Sequence, residues 1–141
     1  MAISRLDRFT ILSNETPVYS DFTKNLDVHP DTGDLFIITN ENSIKMALRN
    51  LVKTNYYERF YNPSLAGNII GSLFENSIDE KFAGLKKSLQ SLIVNYEPRV
   101  NVSTISITSD PSNTQLNILL TYTIANFPNT QTLSIFVERN R

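Results

Sequence analysis

The stretch Tyr96-Glu97-Pro98-Arg99-Val100 marks the point where an amphipathic helical pattern stops and a strand pattern begins. Pro98 disfavours helical geometry at Glu97 and supplies no backbone N–H donor of its own. The last helical carbonyls are therefore short of partners, and an acid and a base stand on either side of a rigid corner. No nucleophile, second acid or metal ligand is grouped with them in the sequence. The stretch predicts a fixed, charged docking corner between a helical part and a β-rich part of the chain.

The segment that leads into this corner predicts the best helix of the chain. Its large apolar residues recur at steps of three and four, which is the spacing of one buried helix face. Ser77 and Glu80 have the spacing of a capping box at the helix start, while Gly84 weakens the helix by about 1 kcal/mol relative to alanine. The predicted buried face consists of Ile78, Phe82, Leu85, Leu89, Leu92, Ile93 and Tyr96.

The sequence after the corner changes to a period of two, which is typical of β-strands. Val102 and Ile105 lie in opposite phases, and this predicts a bulge or a twist between them. Turns are predicted at residues 110–113 and at Pro128-Asn129, so that three consecutive strands form an antiparallel meander. In the last strand the alternating apolar positions are Leu133, Ile135 and Val137.

The first half of the chain predicts short strands and short helices. Residues 1–20 show neither period clearly and are interpreted as an N-terminal arm. Two apolar runs flank the turn sequence His29–Asp34, which predicts a β-hairpin or two short strands. A helix follows, for which Asn40 or Asn42 would supply the N-cap. After an aromatic connection, Gly67 precedes a short apolar helix.

Helices that precede a run of consecutive strands indicate an α+β fold. We therefore predict a single domain over residues 21–141, in which N-terminal short strands and helices pack on a C-terminal three-stranded antiparallel meander. At 141 residues the chain is long enough to bury a hydrophobic core without covalent cross-links.

Composition and charge argue against several classes of function. The net charge of −1 speaks against nucleic-acid binding, which normally needs a basic excess or stripe. The chain has no cysteine, so it offers neither disulfides nor thiolate metal ligands. No stretch approaches the ~18 apolar residues that span a bilayer, and Met1–Arg5 lacks the apolar run of a signal peptide. We therefore expect a soluble protein of cytoplasmic origin with no membrane, nucleic-acid or metal partner.

Candidate catalytic groups are few. His29 is the only histidine and lies in a turn without a ligand or nucleophile motif, so we interpret it as a solvent-exposed turn residue. Glycosidases need only two carboxylates, roughly 5–10 Å apart. Glu58, Glu75, Asp79 and Glu80 are the candidates, although Glu80 is better explained as a helix cap and Asp79 as a first-turn acid that suits the helix dipole. A hydrolase stays open as the alternative to a purely structural role.

Aromatic side chains are concentrated in the segment Tyr56–Tyr61. They could stack on a sugar or a base, but without a basic groove nearby a seam of the core, with hydroxyls at its rim, is the stronger interpretation. Glu58 and Arg59 lie within this segment and need partners, either in the chain or on a neighbour. Glu97 and Arg99 leave a similar choice between a local ion pair and contacts with another protein.

Four segments occur in an order that is recognisable: Tyr57–Pro63, Ser64–Gly67, Leu73–Glu75 and Asn95–Val100. Together they resemble the small baseplate wedge proteins of contractile-tailed bacteriophages, also called sheath initiators, whose pattern is shared by the baseplate component of type VI secretion systems. The first segment of that family usually reads Gly-Glu-Arg-Pro-Phe and, after a hydrophobic or basic position, Pro-Glu-Phe-Gly. Here Tyr57 replaces the first glycine and Phe60 the proline, whereas Glu-Pro-Arg is intact. The resemblance covers residues 20–139.

The resemblance implies a structural role in the inner baseplate, around the tail tube. Glu97 and Arg99 would bind the helical core bundle of the wedge, and Pro98 would fix the corner. The last strand, Leu133–Arg139, would offer an edge to which the first ring of sheath protein adds a strand. The side chains that would set the inward face of that strand are Leu133, Ile135 and Val137.

The partners implied by the resemblance are other baseplate wedge proteins and the tail sheath protein, with the tail tube as a further candidate. The implied location is the tail baseplate of the virion, after assembly in the host cytoplasm. Glu58 and Arg59 are further candidate partner-binding residues, and we expect no cofactor and no catalytic residue. Some relatives have been described as having lysozyme activity, so a peptidoglycan hydrolase remains the alternative. A type VI secretion baseplate component would share the mechanism in another genomic setting.

Overall fold

The computed structural model describes residues 18–67, 69–72, 78–109 and 115–138. Short strands and helices come first and three long strands come last, which confirms the predicted single-domain α+β fold. The strands are β1 (Ser20–Phe22), β2 (Ile37–Thr39), β3 (Val100–Ser109), β4 (Gln115–Ile124) and β5 (Phe127–Glu138), and the helices are α1 (Asn40–Lys53), α2 (Ile69–Ser72) and α3 (Ile78–Tyr96).

The three long strands form an antiparallel meander in the order β3-β4-β5, as predicted. Inward and outward side chains alternate along β4, because successive residues of a strand point to opposite faces of the sheet. The register between β3 and β4 shifts between Val102 and Thr104, which confirms the predicted bulge. The buried residues of β4 are Leu116, Ile118, Leu120, Tyr122 and Ile124.

The turn between β4 and β5 is formed by Ala125 and Asn126, so the prediction of a turn at Pro128-Asn129 was wrong. Pro128 lies inside β5, which is an edge strand whose pairing with β4 is irregular between Tyr122 and Ile124. An edge strand tolerates the missing N–H of a proline where the ladder is interrupted. Pro128 therefore does not end the strand.

The core lies between the sheet and the two longer helices, with α3 packed on β3 and α1 contacting β5. The three-and-four spacing of apolar residues in both helices marks the faces that are buried. Tyr96 is an exception, since its side chain is 43% exposed and the prediction that it belongs to the buried face was wrong. The buried helical residues are Ile44, Leu48, Val52, Ile69, Leu85, Leu89, Leu92 and Ile93.

The strands β1 and β2 pair antiparallel, which confirms the predicted hairpin. The predicted N-cap of the following helix was wrong, because Thr39 occupies that position and no side chain makes a capping hydrogen bond. The Oδ1 atom of Asn40 instead accepts the backbone N–H groups of Val18 at 3.1 Å and Tyr19 at 3.4 Å. Asn40 thus fixes the point at which the N-terminal chain enters the domain.

Several predictions lie outside the described residues, among them the arm before Val18, the capping residue Ser77, the turn at 110–113 and the end of the last strand at Arg139. Within the described part of the chain, no helix combines the length and the apolar character needed to cross a bilayer.

Candidate docking site

Glu97, Pro98 and Arg99 form the corner at which α3 gives way to β3, and backbone hydrogen bonds fix its path. The N–H of Glu97 donates to the carbonyl of Ile93 at 2.8 Å, and the first N–H of β3 donates to the carbonyl of Glu97 at 3.1 Å. From the β4–β5 turn, the N–H of Ala125 donates to the carbonyl of Arg99 at 3.0 Å. Helix, strand and neighbouring turn therefore hold the backbone of this corner, with Pro98 exposed at its apex.

The side chains of Glu97 and Arg99 form a two-point ion pair within the corner. Arg99 donates from Nε to Oε1 of Glu97 at 2.5 Å and from Nη2 to Oε2 at 2.8 Å. The Glu97 side chain is 7% exposed, whereas that of Arg99 is 39% exposed. The hydrogen bonds to Glu97 raise the pKa of Arg99 above its ordinary value, so the charged form is favoured further. The local ion pair that the sequence left open is present, and part of the Arg99 side chain still faces solvent.

Tyr19 covers one face of the guanidinium. The centre of its ring lies 5.1 Å from Cζ of Arg99, which is a cation–π contact. Its hydroxyl accepts a hydrogen bond from Nδ2 of Asn126 at 2.8 Å, and its ring centre lies 6.4 Å from that of Phe127. Tyr19 was not predicted as part of the site, because it is far from Arg99 along the chain. The only signal was an aromatic residue directly before β1.

The aromatic loop, residues 56–61, does not form a seam of the core, so that interpretation was wrong. Tyr57 and Phe60 are 83% and 98% exposed, and Tyr61 is fully exposed. The hydrophobicity of a side chain indicates how much its burial would stabilise the fold, but the path of the backbone determines whether the side chain is buried. Here the backbone carries these rings away from the core.

Hydrogen bonds at both ends give the aromatic loop its shape. The N–H of Tyr57 donates to the carbonyl of Pro63 at 3.0 Å, and the N–H of Gly67 donates to the carbonyl of Thr54 at 3.0 Å, next to the end of α1. Tyr57 has a φ of +65°, a left-handed conformation that is uncommon for a bulky side chain. The loop is therefore closed on itself and held at its base.

Glu58 and Arg59, the two candidate residues in this loop, line a shallow groove of about 510 Å³. The N–H of Asn55 donates to Oε2 of Glu58 at 2.8 Å. Nδ2 of Asn62 donates to the hydroxyl of Tyr96 at 3.3 Å, which joins the groove to the residue directly before the corner. The groove is completed by Phe60, Tyr61, Asn62 and Leu65.

The candidate residues of β5 lie on its inner face. Leu133 and Ile135 are buried, and Val137 is partly buried against the core. Strand β5 pairs with β4 on one side, and no other described strand pairs with its outer edge. The inward side chains therefore hold β5 on the core, while its outer edge keeps backbone donors and acceptors that an added strand could use.

Groups that could do chemistry are scattered. Within the described residues, no three His, Asp or Glu side chains lie close enough together to hold a metal ion. His29 is half-buried in its turn, where its ring contacts that of Phe36 in a tilted arrangement with the centroids 4.9 Å apart, and its Nδ1 accepts the N–H of Asp31 at 3.2 Å. Of the candidate hydrolase acids, Glu58 is bound by a backbone N–H of its own loop. Glu75 and the side chains of Asp79 and Glu80 lie outside the described residues.

Solved structures with a similar fold include chains of two baseplates and a bacterial protein. A protein from Geobacter sulfurreducens, provisionally described as a tail lysozyme, aligns with a TM-score of 0.66 and 15% identity, over 75% of this chain and 97% of that chain. A chain of the anti-feeding prophage baseplate aligns with a TM-score of 0.60 and 20% identity, over 87% of each chain. A chain of the post-contraction pyocin R2 baseplate aligns with a TM-score of 0.55 and 11% identity, over 70% and 96%. At these identities the likeness establishes the fold.

No curated protein matches the sequence. The family model described as baseplate wedge protein gp25 matches residues 39–129, a span that includes α1, the aromatic loop, the Glu97–Arg99 corner and the sheet as far as the start of β5. That span is more than half of the chain and confirms the resemblance seen in the sequence. The chain belongs to the baseplate wedge protein gp25 family and is a baseplate component of contractile tail-like systems.

Proposed function

We propose that this chain docks on the helical core bundle of the baseplate wedge through the Glu97–Arg99 corner, and that β5 initiates sheath assembly. The docking proposal rests on one observation: within the ion pair of the corner, Arg99 is accessible to solvent and Glu97 is not. Glu97 is buried and engages Arg99 at two points, while Arg99 remains 39% exposed. A charge that is held in this way presents a fixed donor surface to a partner.

The physics of the pair favours recognition over mere stability. A guanidinium carries five N–H donors in a planar fork, and Glu97 uses only two of them. The remaining donors suit carboxylates or free carbonyls at the ends of partner helices. Because Glu97 and Tyr19 already order the side chain, little rotamer entropy is left to lose on binding. Pro98 keeps the backbone of the corner from moving away.

The docking proposal is tested with Arg99→Ala and Glu97→Ala in the full chain. We expect both variants to fold, as judged by circular dichroism, and to stop co-purifying with the wedge proteins encoded beside this chain. Arg99→Lys keeps the charge but loses the two-point geometry, so we expect weak retention. Lys87→Ala, an exposed position on α3, is the matched control. Normal co-purification of both corner variants would contradict the docking proposal.

The outer edge of β5 supports the second half of the proposal. The strand is 12 residues long, and its inner face is anchored by Leu133, Ile135 and Val137. An extended segment of the sheath protein would extend the sheet with main-chain hydrogen bonds, and the alternating pockets of the sheet would set its register.

Two serines test this edge, because Ser134 of β5 and Ser106 of β3 both pair with Leu119, on opposite sides of β4. Both side chains are exposed. A lysine on an edge strand discourages the addition of a further strand. We therefore expect Ser134→Lys to lower the fraction of baseplates that carry sheath in electron micrographs, and Ser106→Lys to leave it unchanged. Equal effects of both variants would count against the β5 edge.

We further propose that the chain acts without catalysis, in particles assembled in the host cytoplasm. Glu58, the candidate acid whose side chain is described, is already bound by the N–H of Asn55. The wedge family match supports a structural role. Incubation of the purified chain with peptidoglycan tests this. Release of soluble fragments, lost on changing one acid, would establish the hydrolase alternative.

A further inference from the structure

The proposed docking through the corner leaves the most exposed apolar group of the described chain without a role. Tyr57, Phe60 and Tyr61 present nearly their whole rings to solvent. Aromatic rings are the side chains that protein interfaces bury with the largest effect on affinity. A free-standing domain gains nothing from such exposure, so the rings point to a surface that a partner covers.

The aromatic loop is built to hold that surface in place. Tyr57 keeps a left-handed φ of +65°, and such conformations persist where surrounding structure imposes them. At the base of the loop, a Cβ atom on Gly67 would collide with the backbone carbonyl oxygen of Val52. The close approach ties the loop to the end of α1. Rings on a fixed loop lose little freedom on binding, which favours affinity.

The loop is continuous with the Glu97–Arg99 corner. Asn62 at the groove donates to the hydroxyl of Tyr96, which is itself 43% exposed and directly precedes Glu97. Glu97 then binds Arg99, and Arg99 lies under the ring of Tyr19. One connected strip therefore runs from the aromatic rings to the charged corner.

Two polar side chains of the groove, Glu58 and Asn62, are already engaged, which indicates the chemistry of the occupant. Glu58 accepts the N–H of Asn55, and Asn62 both donates to Tyr96 and accepts the hydroxyl of Ser64 at 3.0 Å. A sugar would need several polar groups free to orient its hydroxyls. Ring faces with satisfied polar neighbours suit apolar side chains of a protein instead.

We propose that the aromatic loop is the apolar anchor of the same docking surface, and that it binds the apolar face of a helix in the wedge core bundle. The corner would contact polar groups at the end of that bundle, and the rings would cover exposed apolar side chains of its flank. This inference rests on the proposed docking function and adds a second, charge-independent contact to it.

The test measures the affinity of the full chain for the purified wedge proteins encoded beside it. The variant is the double change Phe60→Ala and Tyr61→Ala, which removes two fully solvated rings and leaves the backbone bonds of the loop in place. We expect the dissociation constant to rise at least tenfold, with little change in its salt dependence. The matched control is Leu119→Ala, an exposed apolar residue on the outer face of the sheet, which should bind as the parent does.

The outcomes separate this inference from the proposed function. Unchanged affinity of the double variant, with loss in Arg99→Ala, overturns the anchor and leaves corner docking intact. Loss in the double variant with normal binding of Arg99→Ala supports the anchor and overturns corner docking. Sedimentation of the parent chain with purified peptidoglycan, lost in the double variant, overturns the anchor in favour of glycan binding. If the double variant loses wedge binding and the parent chain does not sediment with peptidoglycan, the anchor is supported.

Discussion

The C-terminal sheet and the aromatic loop place large apolar side chains in opposite environments. In β4 every second residue from Leu116 to Ile124 is buried, whereas Tyr57, Phe60 and Tyr61 of the loop are exposed. Both segments are rich in apolar residues, so composition does not distinguish them. The backbone does: β4 has a paired strand on each side and helices over one face, while the loop closes on itself through its own hydrogen bonds.

This contrast assigns two different uses to the same kind of side chain. Apolar residues of the sheet and of α3 stabilise the folded chain, because burial removes them from water. The rings of the loop contribute little to that stability and are available to a partner. Substitutions in the first region should therefore change the free energy of unfolding, and substitutions in the second should change assembly.

A single alanine substitution in the core and another in the aromatic loop should differ most in their effect on the free energy of unfolding. Leu89→Ala removes a fully buried side chain from α3 and should lower the free energy of unfolding by about 3 kcal/mol. Phe60→Ala removes a larger side chain that is 98% exposed, and should change it by less than about 0.5 kcal/mol. Urea unfolding followed by circular dichroism measures both.

The two alanine variants also provide their own control, since the slope of the unfolding free energy against urea should be the same in both. A cost for Phe60→Ala that approaches that of Leu89→Ala would show that the ring is buried in solution. The distinction between the two regions would then be lost.

The base of the aromatic loop gives a second, smaller effect through a pair of glycines. Gly67→Ala forces a methyl group against the carbonyl oxygen of Val52, and backbone atoms there cannot move aside cheaply. We expect a loss of about 2 kcal/mol, as is typical of overpacking. Gly84→Ala is the matched change, because nothing lies within 4 Å of the new methyl group on α3. It should stabilise the chain by about 1 kcal/mol through helix propensity. If both substitutions changed the free energy of unfolding in the same direction, the close approach of Gly67 to the carbonyl oxygen of Val52 would be contradicted.

Local periodicity was sufficient to predict the sheet and the long helix. The alternation in β4 and the three-and-four spacing in α3 depend on neighbours within a few residues, and both elements form where the pattern indicates. The turn before β5 was misplaced, because Pro128 is tolerated in an edge strand and only the pairing of strands reveals which strand is at the edge.

The candidate site was predictable only in part, because its contacts join distant parts of the chain. The corner itself could be read from Pro98 and its two charged neighbours. Tyr19 and Asn40 could not, since each acts on a segment far away in sequence. The exposure of the aromatic loop was also unpredictable. Hydrophobic residues favour burial, and only the path of the folded backbone shows that these rings face solvent.

The third prediction concerns the ion pair of Glu97 and Arg99, which both stabilises the folded chain and lies in the proposed docking surface. Arg99→Ala leaves the buried carboxylate of Glu97 without its two-point partner, and should lower the free energy of unfolding by about 1.5 kcal/mol. Glu97→Ala and the double variant complete a cycle, in which we expect the two costs to be less than additive. Strict additivity in urea unfolding would show that the pair is not formed in solution.

The smallest effect concerns Tyr122, whose hydroxyl is buried in β4, in contrast to the exposed tyrosines of the aromatic loop. Burial, and to a lesser extent the charge of Glu41, raise the pKa of Tyr122 above its usual 10.0. Well below pH 10 the hydroxyl is neutral in both states and stability is unaffected. Above it the unfolded chain ionises first, so stability falls with pH, by at most about 1.4 kcal/mol per unit.

Tyr122→Phe removes this titrating group while keeping the ring in the core. The variant should therefore lose less stability than the parent between pH 9 and 11. Urea unfolding at several pH values measures the difference curve, in which the contributions of all other tyrosines cancel. A flat difference curve would mean that the hydroxyl reaches water in the folded state. The sheet would then be open at Tyr122, and the contrast with the aromatic loop would be one of degree.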